Sequence, residues 1–150
     1  MRTVEFKDLA GLVGQELGVS DWVEVSQERV NTFAEATGDF QWIHVDVERA
    51  VREIGGPIAH GYLTVSLIPF LSRSVMEITG VQRALNYGSE KVRFLNPVKV
   101  GKRVRLRNKL LSAEPKSGGL LLRYECTIEI EGETKPACIA ETLNLIFPAA

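Results

Sequence analysis

The chain has 150 residues, 45% of them hydrophobic, and a formal net charge of −1 at pH 7. This length and composition predict a single domain over residues 1–150, large enough to bury a core without disulfides or a metal. The near balance of 18 basic and 19 acidic residues gives no sign of the basic surface that nucleic-acid binding requires. We therefore expect no nucleic-acid partner.

The sequence contains no pattern typical of a targeting or membrane segment. Residues 1–22 carry acids and glycines where a secretory leader has an unbroken apolar run. No later segment approaches the roughly 18 apolar residues of a membrane span. We expect a cytoplasmic protein with no membrane partner. Cys126 and Cys138 lack metal-site spacing and are expected to be buried free thiols.

Helical patterns dominate the first half of the chain. Residues 7–17 predict a short helix and residues 21–25 a short strand. Ser26 is the expected N-cap of a helix over 27–37, which Gly38 ends. That helix has one apolar face at helical spacing, formed by Val30, Phe33, Ala34 and Thr37.

A second helix is expected over residues 47–54, ended by Gly55 and Gly56. The most apolar segment, residues 59–80, follows it and predicts a core helix that is buried on several sides. Pro69 lies inside this segment, so we expect a bend there.

The hydrophobic period changes to two from residue 84 onward. Strands are expected over residues 84–95, 103–110, 122–130 and 135–147. A buried helix followed by consecutive antiparallel strands indicates an α+β domain, in which a curved antiparallel sheet wraps around one long apolar helix. The basic face of residues 103–110, formed by Arg103, Arg105, Arg107 and Lys109, is interpreted as a solvated outer face in preference to a phosphate-binding surface.

Asp39 and His44 are the first candidates for chemistry. Five positions on an ideal α-helix turn two side chains roughly 140° apart, so this pair can cooperate only if Gly38 ends the helix and a tight loop follows. A carboxylate and an imidazole that share one water can perform general acid–base addition to a double bond. Burial beside Phe40 and Trp42 would raise the pKa of the acid, and the imidazolium would oppose that shift. The structural alternative is a capping aspartate and a core histidine.

Gly61 is the second candidate, at the entrance to the apolar segment. Its backbone N–H suits a carbonyl oxygen that becomes negative during a reaction. The alternative is a glycine that only permits a tight turn. The preceding His60 is interpreted as a structural residue that bonds backbone beside the site.

Together these residues resemble the MaoC-like, (R)-specific enoyl-CoA hydratase family. The family pattern A-x-x-[ST]-G-D-x-N-P-[IL]-H-x-D is followed by P-I-[AV]-H-G-x-L. The two blocks here read "ATGDFQWIHVD" (36–46) and "GPIAHGYLT" (56–64). The resemblance covers the whole chain and implies a hot-dog fold. The sequence is most similar to the nodulation protein N-like branch, in which Gln-Trp, here Gln41 and Trp42, replaces Asn-Pro. We expect this replacement to reshape the pocket.

The resemblance implies that Asp39 and His44 hold and activate a water and that Gly61 supplies an oxyanion N–H. The substrate would be a trans-2-enoyl thioester, carried by coenzyme A or acyl carrier protein and hydrated to the (R)-3-hydroxyacyl product, or the reverse. A homodimer is also implied. Residues expected near the substrate by position are Ala59, His60, Tyr62, Asn86, Tyr87, Gly88, Phe94 and Pro97.

No cofactor or metal is expected. His44 and His60 are the only histidines, without cysteines or paired carboxylates at ligand spacing, and no phosphate-binding glycine loop is visible. Two alternatives to a hydratase stay open. One is an acyl-CoA thioesterase, which the lack of an acid on the core helix before Glu77 disfavours. The other is a non-catalytic hot-dog subunit that binds acyl thioesters.

Overall fold

Short elements make up the first part of the chain in the computed structural model, which describes residues 1–150. They are β1 (Arg2–Glu5), a 3₁₀ helix (Phe6–Leu12), β2 (Glu16–Val19) and β3 (Val23–Glu24). The helix expected over 7–17 is therefore wrong beyond Leu12. Gly14, with φ of 86°, turns the chain so that the next residues enter a sheet.

Both amphipathic helices form where the sequence predicts them. In α1 (Gln27–Thr37), the Ser26 hydroxyl accepts a hydrogen bond from the Arg29 N–H at 3.2 Å, and Gly38 closes the helix with φ of 80°. The short α2 (Trp42–Val45) precedes α3 (Val47–Ile54), which Gly55 closes, also with φ of 80°. Left-handed closing residues favour glycine because it has no Cβ to clash.

The central helix is shorter than expected and is divided in two. Its parts, α4 (Gly61–Ser66) and α5 (Ile68–Ser72), meet at Leu67, and Pro69 lies in the first turn of α5. The expected interruption is therefore present, since proline cannot donate a backbone hydrogen bond. The chain then forms β4 (Met76–Thr79), which pairs in parallel with β1, so the helical prediction is wrong for its last residues.

One antiparallel sheet contains the second half of the chain. Its long strands are β5 (Val81–Phe94), β6 (Arg103–Lys116), β7 (Gly119–Ile130) and β8 (Cys138–Pro148). The strand order is β2-β6-β7-β8-β5, and β3 also pairs with β6. The expected strands and the α+β fold class are confirmed.

The inner face of the sheet packs against α4 and α5. Alternating residues of β6 and β7 are fully or almost fully buried, among them Val104, Leu106, Leu110, Leu122, Cys126, Ile128 and Ile130. They form one cluster with Leu63, Leu67 and Leu71 of the helices. The period of two thus places one side of each strand in the core. Both cysteines are buried free thiols, which confirms that expectation.

Ion pairs occupy the outer face of β6. Arg105 lies 2.6 Å from Glu129, and Arg107 bonds both Glu129 at 2.9 Å and Glu16 at 2.6 Å. Partial burial raises the pKa of Glu129, but hydrogen bonds from the two arginines hold that pKa below its usual value. Because these guanidinium groups already have carboxylate partners, the contacts support a solvated outer face. No helix of the protein is long and apolar enough to cross a bilayer.

Gly119 provides a test of how closely β7 and β8 approach. A Cβ built there would lie 2.1 Å from the carbonyl oxygen of Ile146, whereas one at Gly11 would meet nothing within 4 Å. We expect Gly119→Ala to lower the free energy of unfolding by about 1–3 kcal/mol, the usual cost of overpacking, in urea denaturation. The control Gly11→Ala should leave stability nearly unchanged, and equal stability of both variants would contradict this packing.

Candidate active site

Asp39 lies in the loop between α1 and α2, directly after Gly38. The left-handed glycine directs the chain away from the axis of α1, so Asp39 and His44 do not share one regular helix. The Asp39 Oδ1 accepts a hydrogen bond from the Gln41 N–H at 3.3 Å, a turn that aspartate often makes. The side chain of Asp39 is exposed. Only the imidazole of the expected pair is therefore buried.

His44 is buried in α2 and has a defined hydrogen-bond partner. Its Nδ1 lies 2.6 Å from the carbonyl oxygen of Ile58. Because a carbonyl can only accept, the contact requires a hydrogen on Nδ1, and the neutral ring then has a lone pair on Nε2. The side-chain amide of Gln27 also donates to the His44 carbonyl at 2.8 Å. These bonds fix the ring and leave the lone pair on Nε2 free to act as a base.

His60 packs directly against this pair. It is 2% exposed, and its ring stacks on that of His44 with centroids 3.9 Å apart and an interplanar angle of 25°. Its Nε2 donates to the backbone carbonyl of Asp39 at 2.9 Å, while its Nδ1 is buried without a partner. The expectation that His60 bonds backbone beside the site agrees with this geometry.

Asp39, His44 and His60 form a set that the sequence spacing did not predict. One ligand atom from each lies within 4.8 Å of the other two. Two histidines and a carboxylate can hold a divalent metal, and the same three groups can take part in acid–base chemistry. A metal-free site stays a prediction.

Gly61 begins α4, immediately after His60. No protein group accepts a hydrogen bond from its N–H, as is usual for the first residue of a helix. The ring of Phe94 covers the Cα, since a Cβ at this position would lie 3.1 Å from it. The glycine thus permits close packing of β5 on the helix while its amide stays available.

The other expected substrate residues separate into distinct groups. Tyr62 is 71% exposed and packs edge-on against Phe94 at 5.7 Å. Ala59 is buried, and its N–H donates to the carbonyl of Val98 at 2.8 Å. Pro97, the residue before Val98, is exposed. Tyr87 is also exposed, with the Lys116 ammonium 5.2 Å from its ring centroid.

Asn86 and Gly88 line a cavity of about 670 Å³ between the sheet and the central helices. The same cavity is lined by other polar residues that the sequence analysis did not select, among them Asn108, Thr142 and Asn144. A signal was present for Asn108, because it interrupts the apolar inner row between Leu106 and Leu110. Asp39, His44 and Gly61 do not line this cavity.

Gln41 and Trp42 mark the departure from the usual family pattern. Gln41 precedes α2 as its N-cap residue. The Arg49 guanidinium of α3 lies 4.1 Å from the ring centroid of Trp42, a cation–π contact that links α2 to α3. The expected effect of these residues on the pocket stays a prediction.

Comparisons with known proteins identify the family to which this chain belongs. The family model described as "MaoC like domain" matches residues 8–117. The chain belongs to the MaoC-like family. It is 49% identical over 146 residues to 3-hydroxyacyl-thioester dehydratase Z of Mycobacterium tuberculosis, covering 95% of this chain and 97% of the relative. It is 43% identical over 150 residues to nodulation protein N of Rhizobium leguminosarum, covering 97% and 93%.

Solved structures of MaoC-like proteins and (R)-hydratases confirm the hot-dog fold. An unliganded (R)-hydratase of Pseudomonas aeruginosa matches with a TM-score of 0.72 and 23% identity, covering 92% of this chain and 83% of that one. The named dehydratase and (R)-hydratase relatives confirm the expected enzyme class, a hydro-lyase, which adds or removes water.

The two histidines should have opposite neutral tautomers. Carbonyl partners require a hydrogen on Nδ1 of His44 and on Nε2 of His60. We expect ¹⁵N NMR of imidazole-labelled protein at alkaline pH to show this assignment, with His44→Gln and His60→Gln used to identify the signals. The same tautomer in both rings would contradict the geometry.

Proposed function

We propose that this MaoC-like protein is an (R)-specific enoyl-thioester hydratase that also catalyses the reverse dehydration of 3-hydroxyacyl thioesters. The observation that carries the proposal is the convergence of the Asp39 carboxylate with the imidazole groups of His44 and His60, whose ligand atoms lie within 4.8 Å of one another. A carboxylate oxygen accepts hydrogen bonds, and so does the lone pair on Nε2 of His44. Together they can hold both hydrogens of one water.

The proposed reaction needs only this pair and an oxyanion donor. As the water oxygen bonds to C3, the pair takes one proton from the water, and the electrons of the double bond move toward the thioester oxygen. A proton returned by the pair to C2 completes the addition. The pair then regains its starting protonation state, so no oxidant, reductant or metal enters the balance.

Gly61 is the proposed donor to the thioester oxygen. Its N–H has no protein acceptor and directly follows His60, which stacks on His44. Negative charge develops on the thioester oxygen during addition, and a fixed N–H stabilises that charge more than it stabilises the neutral substrate. This placement supports a thioester as the activated group.

The alternatives have less support. A thioesterase with its acid on the central helix is disfavoured because α4 and α5 carry no acidic residue, and Glu77 lies in β4. A non-catalytic binding subunit would not need the hydrogen bonds that orient His44. The 49% identical relative is named for dehydration of 3-hydroxyacyl thioesters, which also supports catalysis. The choice between coenzyme A and acyl carrier protein, and a cytoplasmic location, stay predictions.

A homodimer is part of the proposal. β5 lies at the edge of the sheet, pairs only with β8, and is exposed at every residue from 82 to 91. Leu85 and Tyr87 are 49% and 51% exposed there. A long unpaired edge with exposed apolar side chains favours pairing with another strand, and the same edge of a second copy supplies one.

Removing either member of the pair should abolish most activity. We expect Asp39→Asn and His44→Ala each to reduce kcat for hydration of crotonyl-CoA by about 10²- to 10⁴-fold, the usual contribution of a positioned acid or base. The rate is measured from the loss of enoyl-thioester absorbance, and an (R)-specific dehydrogenase identifies the product.

Asp46→Asn is the matched control for these variants. Asp46 caps α3 by accepting from the Arg49 N–H at 3.1 Å. Asparagine caps about as well, so kcat of the Asp46→Asn variant should match that of the unsubstituted protein. Near-full activity of Asp39→Asn or His44→Ala, with native circular dichroism, would show that the pair is structural and not catalytic.

The edge of β5 can be tested independently of catalysis. Sedimentation equilibrium should give twice the mass of the chain, and Tyr87→Asp should shift the distribution toward monomer because it places a charge at the paired edge. Val51→Asp, at a residue of α3 that is 57% exposed, should leave the dimer intact. A monomer at all concentrations would contradict the proposed assembly.

A further inference from the structure

The cavity beside the central helices carries different polar groups on its two sides. Its helix side combines the apolar Val65, Ile68 and Pro69 with the hydroxyl residues Ser66 and Ser72. Its sheet side carries amide or hydroxyl groups on neighbouring strands, at Asn86, Asn108, Thr142 and Asn144. The inner face of a sheet that wraps a helix is normally apolar, so these polar positions need an explanation.

The cavity begins close to the candidate active site. Val65 lies one helical turn after Gly61 in α4, at the i+4 position on the same face and roughly 6 Å along the axis at a rise of 1.5 Å per residue. On the other side, Phe94 of β5 contacts Gly61, and Ser89 of the same strand lines the cavity. An acyl chain whose thioester oxygen binds the Gly61 amide therefore has this space beyond its reacting carbons.

Asn108 is the deepest polar group on the sheet side. It is 5% exposed, and the only protein hydrogen bond of its side chain is from the Cys126 thiol to Oδ1, at 3.7 Å. Burial raises the pKa of Cys126 to about 11, so the thiol keeps its hydrogen. The side-chain N–H groups of Asn108 donate to no protein group, so they can donate to a ligand that enters the cavity.

The neighbouring polar groups also have capacity for a ligand. The Thr142 hydroxyl has one contact, with the Cys126 sulfur at 3.5 Å. Asn86 and Asn144 are register partners on β5 and β8, and neither side chain bonds a protein group. The sheet side thus presents amide donors from three asparagines, of which Asn108 is buried, Asn144 half-buried and Asn86 exposed.

We propose that this cavity holds the acyl chain and selects chains that carry a hydroxyl or carbonyl oxygen beyond the reacting carbons over plain hydrocarbon chains of equal length. This inference rests on the proposed function. An oxygen in the chain accepts from the asparagine N–H groups. A plain chain displaces water from them and leaves them unpaired, which is the situation in which polar sites discriminate most strongly.

The test compares trans-2-decenoyl-CoA with two analogues that carry a hydroxyl or a keto group near the far end of the chain. We expect kcat/KM to be at least about fivefold higher for an oxygenated analogue, the effect of one net hydrogen bond. A higher value for the hydroxyl compound alone would assign a donor as well as an acceptor role to the ligand. Equal values for all three, or a preference for the plain chain, would overturn the proposal.

Variants connect the preference to the sheet side of the cavity. Asn108→Leu removes the buried amide at similar volume and should reduce the ratio of oxygenated to plain kcat/KM by about fivefold. Thr142→Val is a second, milder test that preserves side-chain shape if Asn108→Leu fails to fold. Thr127→Val is the matched control, because Thr127 lies on the opposite face of β7 from Cys126, and its ratio should not change. A ratio unaffected by both cavity variants would contradict the assignment.

Binding without turnover separates this inference from the proposed reaction. Calorimetric titration with decanoyl-CoA and hydroxydecanoyl-CoA, which lack the double bond, should show tighter binding of the hydroxylated chain. That result without hydration of crotonyl-CoA would overturn the reaction and keep the cavity assignment. Hydration of crotonyl-CoA with equal binding of the two chains would overturn the cavity assignment alone. Failure of both thioesters to bind, together with no hydration of crotonyl-CoA, would contradict both.

Discussion

Two hydrogen bonds that run in opposite directions join the loop carrying Asp39 to the segment that enters α4. His44 of the first segment bonds the carbonyl of Ile58 in the second, and His60 of the second bonds the carbonyl of Asp39 in the first. Each bond contributes on the order of 1 kcal/mol, and an unsatisfied buried partner costs more. The two stacked rings between them are buried. The positions of the carboxylate, the Nε2 lone pair and the Gly61 amide all depend on this reciprocal link.

The sheet provides the rigid support on which this link rests. Apolar alternation buries one face of β6 and β7, while arginine–glutamate pairs cover the other. Exposed ion pairs contribute little to stability, so the apolar face and its contacts with α4 and α5 hold the fold together. The inner row departs from apolar character at Asn108 and Thr142, where the cavity lies. A break in an otherwise consistent pattern is typical of a functional position.

The sequence predicted the features that local chemistry determines. Ser26 and Gly38 bound α1 because a cap and a left-handed glycine act within one turn, and Pro69 interrupts the central helix because it lacks an N–H. Period-two alternation located the long strands. The family motif located Asp39, His44 and Gly61, but the motif alone did not reveal how they are arranged.

Contacts between distant segments could not be predicted in the same way. The stacking of His60 on His44 joins residues 16 positions apart in the chain through a fold that no local pattern encodes. The parallel pairing of β4 with β1 shortened the expected helix, because tertiary pairing outweighs the helical preference of residues 76–79. The spacing of Asn108 predicts that it lies on the inner face of the sheet. Its proposed role could not be predicted, because only the structure shows the cavity that it lines.

The two tryptophans of the chain report on different parts of the molecule. Trp22 lies beneath Arg105 on the outer sheet, and Trp42 lies beneath Arg49, two residues from His44. With Trp22 replaced by phenylalanine, the remaining indole becomes an intrinsic fluorescent probe whose emission follows the α2–α3 junction alone. Occupancy of the neighbouring site could then be followed in real time, without a label and without a chromophore on the ligand.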